Sequence, residues 1–249
     1  MDSVVLVMLG LGAALVAVVA YAIYARMQAW KTRKQKMAEW AQRNGMRYAT
    51  GPQMASSLAP LRSLQLGDGV TSCEATHMAR GTRAEMPVVV FDLARTTERQ
   101  RAGETSTGTE RGTFALFERA DARLPRFDFA AVSAASATSF QGKAMAFAMN
   151  LAATVGGTHV ATIVKLEGRP GFLLRGDDEV AVRAVFTPSL LEFFDQNEGW
   201  TVEAEGTQIL VGFKPLQRPG WTVPEIDDLV SYRDLDKFLP LAAAIAQRL

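Results

Sequence analysis

Cysteine and histidine are nearly absent. One cysteine, Cys73, and two histidines, His77 and His159, serve all 249 residues. A single thiol excludes an intrachain disulfide and suits a reducing compartment. No CxxC or HxxxH spacing occurs, so no local pair of zinc ligands is laid out. Cys73 and His77 stand four apart, which on one strand is about 13 Å, too far to share a metal or to act as nucleophile and base unless the chain bends. A phosphate-loop motif, a GxGxxG turn after a strand, a GxSxG elbow and an EF-hand loop are all missing. No cofactor and no metal are expected.

Charge is missing as well, over one stretch. Val4–Tyr24 (VVLVMLGLGAALVAVVAYAIY) holds no charged residue. At about 1.5 Å per residue this run covers roughly 30 Å, the thickness of the hydrocarbon core of a bilayer. Before it come only Met1, Asp2 and Ser3; after it come Arg26, Lys31, Arg33, Lys34 and Lys36. A cleaved signal peptide would carry its bases first, so the run reads as a retained transmembrane helix, although Ala20-Tyr21-Ala22 mimics a cleavage site. Bases stay on the cytoplasmic side. The expected topology is a single pass through a bacterial inner membrane, N-terminus periplasmic and C-terminal domain cytoplasmic. Tyr21, Tyr24 and Trp30 suit the aromatic belt of the inner interface. Gly10, Ala13, Ala17 and Ala20 form a stripe of small residues along which a second membrane helix could approach.

The basic flank has a natural partner in anionic lipid. Residues 26–47 contain seven bases and one acid, whereas the rest of the chain after them has 20 bases and 24 acids. Arg26, Lys31, Arg33, Lys34 and Lys36, with Trp30, are therefore read as membrane-surface residues. A mildly acidic remainder argues against nucleic acid.

The expected organisation is an anchor at 1–25, a basic juxtamembrane helix at 26–45, a connector at 46–69 and an α+β domain at 70–249. The domain could divide into 70–130 and 158–249. Gly45 suits the left-handed end of the first helix. Met27, Trp30, Met37 and Ala41 lie near one face of it, interrupted by Lys34; this is either a coiled-coil stalk or a helix resting on its own domain. A short helix is expected at Met54–Leu58. Strands are expected at Thr71–Arg80 and Met86–Leu93 with a turn at Gly81-Thr82, then a long mobile hairpin loop over the polar stretch 95–112 and a strand at Thr113–Glu118. Phe140–Val155 reads as a core or membrane-surface helix. Gly156-Gly157 turns the chain into a strand at His159–Leu166, and Glu167–Gly171 turns it back. Asp177 should cap a helix carrying a Glu179–Arg183 pair, and Thr187-Pro188 should cap another that ends at Gly199. Trp200–Glu205 and Gln208–Phe213 form a hairpin across Gly206-Thr207, and Ser231–Leu249 a final helix.

Several short motifs carry a resemblance. Gly176, Asp178, Glu179 and Arg183 form a Gly-x-Asp-Glu-x-x-x-Arg helix start, and Phe186-Thr187-Pro188 follows it. Val90-Phe91-Asp92 and Leu124-Pro125-x-Phe127 lie upstream. In these the chain resembles a family of uncharacterised bacterial single-span membrane-anchored proteins carrying a domain of unknown function. It departs from that pattern after Asp92, where Leu93-Ala94-Arg95 replaces aromatic residues. The resemblance implies a layout and a location, and no activity.

Two classes of function follow. One is a non-catalytic interaction, scaffold or accessory-subunit protein that meets a membrane-protein partner or a second copy of itself. The other is a membrane-tethered hydrolase using carboxylates, with Asp92 or the cluster Asp177, Asp178 and Glu179. A lipid-sensing module is a third idea and needs the basic helix and Phe140–Val155 on one membrane-facing side. A pocket gathering the acids would favour the enzyme; scattered, solvated acids would not.

Overall fold

The computed structural model describes residues 2–49, 70–101, 104–131, 162–166, 172–197, 199–213 and 229–249. The readings at Met54–Leu58, Phe140–Val155, Gly156-Gly157, His159 and Glu167–Gly171 lie outside them.

The first element is one unbroken helix, α1 (Asp2–Arg43), of 42 residues. It has no proline and runs straight from the apolar stretch into the basic one. It stops where Gly45 takes φ +67. There the Met46 N–H reaches back to the Ala41 carbonyl at 2.8 Å and the Gly45 N–H to Gln42 at 3.2 Å, satisfying carbonyls that a helix end leaves open. Met37, Trp40 and Ala41 are buried. The last turns of α1 therefore rest on the chain's own domain, and the coiled-coil alternative does not apply to them.

The domain is a nine-stranded antiparallel sheet. The strands are β1 (Arg47–Ala49), β2 (Val70–Arg83), β3 (Met86–Arg101), β4 (Glu104–Glu118), β5 (Leu124–Ala131), β6 (Thr162–Ile163), β7 (Phe172–Gly176), β8 (Trp200–Gly206) and β9 (Gln208–Phe213). Their order across the sheet is β1-β2-β3-β4-β9-β8-β5-β7-β6. Strands from both halves of the domain alternate in it, so the two segments left open as subdomains build one sheet. Among the described residues, the further helices are α2 (Glu179–Val185), α3 (Pro188–Gln196) and α4 (Leu235–Arg248). With α1 they pack on one face, over Val88, Val90, Ala115, Phe117, Phe129 and Val211. A smaller cluster of Ala75, Met78, Phe91, Leu93, Leu116 and Leu210 lies on the other face, as the alternation of strand side chains requires. This is the α+β architecture expected: an N-terminal apolar helix, then an antiparallel sheet with helices packed on it.

Local readings need correction. The stretch 95–112 is no loop: β3 and β4 stay paired from Val88↔Phe117 to Arg101↔Glu104. A two-stranded ribbon beyond the core shows no apolar alternation, while its many threonines favour extended backbone. The turn after β2 falls at Ala84-Glu85, both at positive φ (+50 and +65), not at Gly81-Thr82. Gly81 serves packing instead, because a Cβ there would stand 2.8 Å from Met46 Cγ. The connector assigned to 46–69 begins inside the fold: Met46 is buried and β1 pairs with β2. Asp178, not Asp177, caps α2, accepting from the Val180 and Ala181 N–H groups at 3.0 Å each. The last helix begins at Leu235, four residues later than expected. The Glu179–Arg183 pair (2.7 Å), the Thr187 cap and the turn at Gly206 (φ +61) are as read.

Candidate functional site

The polar centre of the molecule lies where α1 crosses the sheet. Val88, Val90 and Asp92 alternate along β3 toward the helix-covered face. Asp92 thus takes a place where the pattern calls for a core side chain, and it is 2% exposed. Opposite it α1 presents Arg33, also 2% exposed. The guanidinium grips the carboxylate with two prongs, Nε to Oδ2 at 2.9 Å and Nη2 to Oδ1 at 2.7 Å. Thr113, directly across from Asp92 on β4, donates its hydroxyl to Oδ1 at 2.9 Å. The same hydroxyl oxygen receives Arg33 Nη2 at 3.1 Å and the Val230 N–H at 3.0 Å. Arg33 Nη1 donates to the Val230 carbonyl.

His77 completes the cluster. β2 is irregular between Thr76 and Ala79, and His77 sits in that bulge at φ +49. Regular alternation would turn it away from the face that Thr76 shares with Asp92. The bulge instead brings Nδ1 to 3.0 Å from Asp92 Oδ2. Its ring stacks on Trp30 of α1, centroids 5.1 Å apart.

These contacts decide what Asp92 can do. Burial pushes its pKa up, but the charge of Arg33 and the hydrogen bonds from His77 and Arg33 outweigh burial and hold the carboxyl below its usual range. The carboxylate accepts from Arg33 twice, from Thr113 and from His77, which engages all of its roughly four acceptor positions. A carboxylate so enclosed is suited to holding elements together rather than to taking a proton from a substrate. It also pushes up the phenol of nearby half-buried Tyr48, second to burial itself.

The other expected site residues are distributed as follows. Arg33 is not a membrane-surface base: it is the buried partner of Asp92, because its spacing from Trp30, Met37 and Trp40 puts it on the inward face of α1. Arg26, Lys31 and Lys34 are exposed. Lys36 pairs with Glu39 at 2.8 Å. Trp30 is half-buried against His77. Ala13, Ala17 and Ala20 are exposed on α1, which also carries Gly10. Asp177, Asp178 and Glu179 are exposed and follow β7, five strand steps from β3, roughly 24 Å at about 4.8 Å per strand. The structure does not gather them with Asp92. Among the described residues, no group of three His, Cys, Asp or Glu side chains is placed to hold a metal ion.

Next to the cluster is a cavity of about 250 Å³ lined by Trp30, Glu74, Thr76, Asp92, Arg111 and Leu229, among others. Sequence reasoning singled out Asp92 but missed Arg33, His77 and Thr113 as its partners. The one available signal was the spacing 30–33–37–40 on α1, which is regular once Arg33 counts as inward.

α1 is, among the described residues, the one helix long and apolar enough to cross a membrane. No protein-family model matches the chain, and no curated protein matches it. Among solved structures, the crystal structure of the mycobacterial trehalose monomycolate transport factor A, TtfA, is similar. The two share 12% sequence identity and a TM-score of 0.52 over 87% of this chain and 94% of that one. The likeness is one of fold alone.

Proposed function

We propose that this chain is a single-pass membrane protein whose cytoplasmic domain serves as an accessory or scaffold subunit for a membrane-protein partner. The observation that carries the reading is the junction. The apolar part of α1 and the part buried in the domain are one helix, and Arg33 fastens that helix to β3, β4 and the segment at Val230. The domain therefore has a fixed orientation to its anchor, which a subunit held beside a partner needs and a freely tethered enzyme does not. The saturated state of Asp92 and the distance to the 177–179 acids speak against the carboxylate hydrolase. The fold neighbour is named a transport factor, which suits an accessory role at a membrane. We place the domain on the cytoplasmic side of a bacterial inner membrane, on the strength of the bases that follow the span.

The stripe of Gly10, Ala13, Ala17 and Ala20 is the proposed contact in the membrane. At about 100° per residue it points about 160° away from the side on which Trp30, Arg33, Met37 and Trp40 meet the domain. Among the described residues, nothing covers Ala13, Ala17 or Ala20. The test is in-cell crosslinking and mass spectrometry of partners captured by the full-length chain, with one or seven alanines inserted after Ala25. One residue turns the stripe by about 100° relative to the domain, and seven return it to within about 20°. A partner lost with one insertion and regained with seven supports the reading. A partner indifferent to both, or none in any form, overturns it.

A further inference from the structure

The cavity beside the cluster has a charge layout of its own. Its floor is one row across three strands: Glu74 on β2 pairs with Ala94 on β3, which pairs with Arg111 on β4. Cross-strand partners share a face, so Glu74 and Arg111 flank the small Ala94 at two strand spacings, roughly 10 Å. The next row is Thr76, Asp92 and Thr113. Trp30 and Leu229 contribute walls. Unlike Asp92, neither Glu74 nor Arg111 is engaged by a hydrogen bond or ion pair with another described residue. An acid and a base held apart over a small residue, with a hydroxyl and a carboxylate behind, complement a ligand carrying a cation at one end and an anion at the other.

The position of the cavity narrows the ligand. Trp30 lies six residues beyond Tyr24, about 9 Å along the helix. The headgroup layer of a bilayer extends about 5–8 Å beyond the hydrocarbon. The cavity therefore sits at the outer edge of that layer if Tyr24 marks the hydrocarbon boundary. At about 250 Å³ it suits a headgroup rather than a whole lipid. The cation end favours a primary ammonium: Glu74 and Thr76 offer acceptors for its N–H groups. Choline calls for several aromatic walls, and the one tryptophan here already stacks on His77.

We propose that this cavity binds a phosphoethanolamine group, with the phosphate on Arg111 and the ammonium on Glu74 and Thr76. The headgroup of phosphatidylethanolamine is the nearest source, and free phosphoethanolamine is the other. The lipid source rests on the anchoring reading above; the chemistry of the cavity does not.

The experiment uses the full-length chain in nanodiscs of phosphatidylglycerol mixed with phosphatidylethanolamine or with phosphatidylcholine. Lipids that stay bound are counted by native mass spectrometry. In a second arm, O-phosphoethanolamine is titrated by calorimetry against the detergent-solubilised chain. The expected result is about tenfold preference for phosphatidylethanolamine over phosphatidylcholine, lost in Arg111→Gln and in Glu74→Gln. Both substitutions lie outside the core, and unchanged circular dichroism confirms their folding. Equal retention of the two lipids without soluble binding, or binding unaffected by either substitution, overturns the proposal. Binding of the soluble compound alone, lost in both variants, supports the site and overturns the lipid as its source. Failure to enter nanodiscs overturns the anchoring reading, and the soluble arm still decides on the cavity.

Discussion

Arg33→Met is the substitution whose outcome the structure fixes most sharply. Methionine keeps a long apolar stem within α1 and a good helix propensity, so the helix itself is preserved. What goes is the guanidinium, with its bonds to both Asp92 oxygens, the Thr113 hydroxyl and the Val230 carbonyl. Asp92 remains 2% exposed, and its nearest positive charge is gone. Removing one partner of a buried pair costs about 3–5 kcal/mol, most of it from the charge left behind. For a domain of this size each kcal/mol moves the melting temperature by about 2–4 °C, so the expected loss is roughly 6–20 °C. The assay is thermal unfolding of the full-length chain in detergent, followed by near-ultraviolet circular dichroism, since Trp30, Trp40 and Trp200 lie at or near the packed face. Arg33→Met with Asp92→Leu is the control. It removes both charges and should recover most of the loss, because an apolar pair of similar size often matches a buried ion pair. A single-variant loss under about 1 kcal/mol would refute the reasoning. Arg33 would then behave as a surface base, worth about that much through lipid attraction alone.

Further expectations can be checked with the same preparations. Asp92 has a folded pKa below the ordinary value of about 3.9. Its contribution is thus fully present above about pH 4 and is lost as pH falls through the lower folded value. Acid unfolding curves should be steeper below pH 4 in the wild type than in Asp92→Asn. Gly176→Ala should destabilise by about 1–3 kcal/mol in urea unfolding, since a Cβ there would stand 2.5 Å from buried Val182 Cγ2 and 3.0 Å from the Arg126 carbonyl oxygen. Asp178→Ala, which removes the cap of α2, should cost about 1 kcal/mol, whereas Asp177→Ala should change stability by less than about 0.5 kcal/mol; chemical unfolding compares the two.

The fold was legible wherever one face of an element is buried. Val88, Val90 and Phe91, the Leu190–Phe194 stripe and the Trp200–Phe213 hairpin all announce themselves by apolar spacing. The outer ribbon of β3 and β4 did not, because backbone pairing without burial leaves only composition to read. The turn at Ala84-Glu85 escaped because its positive φ angles fall on residues other than glycine. The site was half legible. Asp92 stands out as an acid ending an apolar run, but its partners come from α1, a bulge and a neighbouring strand, at sequence separations from 15 to 59. A bulge that re-aims one imidazole leaves no mark in hydropathy. Arg33 was misread because five bases after an apolar run look alike, and only the inward phase of the helix separates one from the others.

The junction between α1 and the sheet has a mechanical consequence. A rod of 42 residues is about 63 Å long and carries the sheet at its end as a lever carries an arm. Transmembrane helices change tilt when bilayer thickness changes. With nine strands at about 4.8 Å spacing, the sheet reaches roughly 38 Å from β1 to β6. A 10° change in tilt at a stiff junction would sweep the far strand by roughly 7 Å, about the width of a strand and a half. On the proposed anchoring, a guanidinium locked into a carboxylate would turn the slant of the rod into a displacement that a neighbour on the far edge would feel.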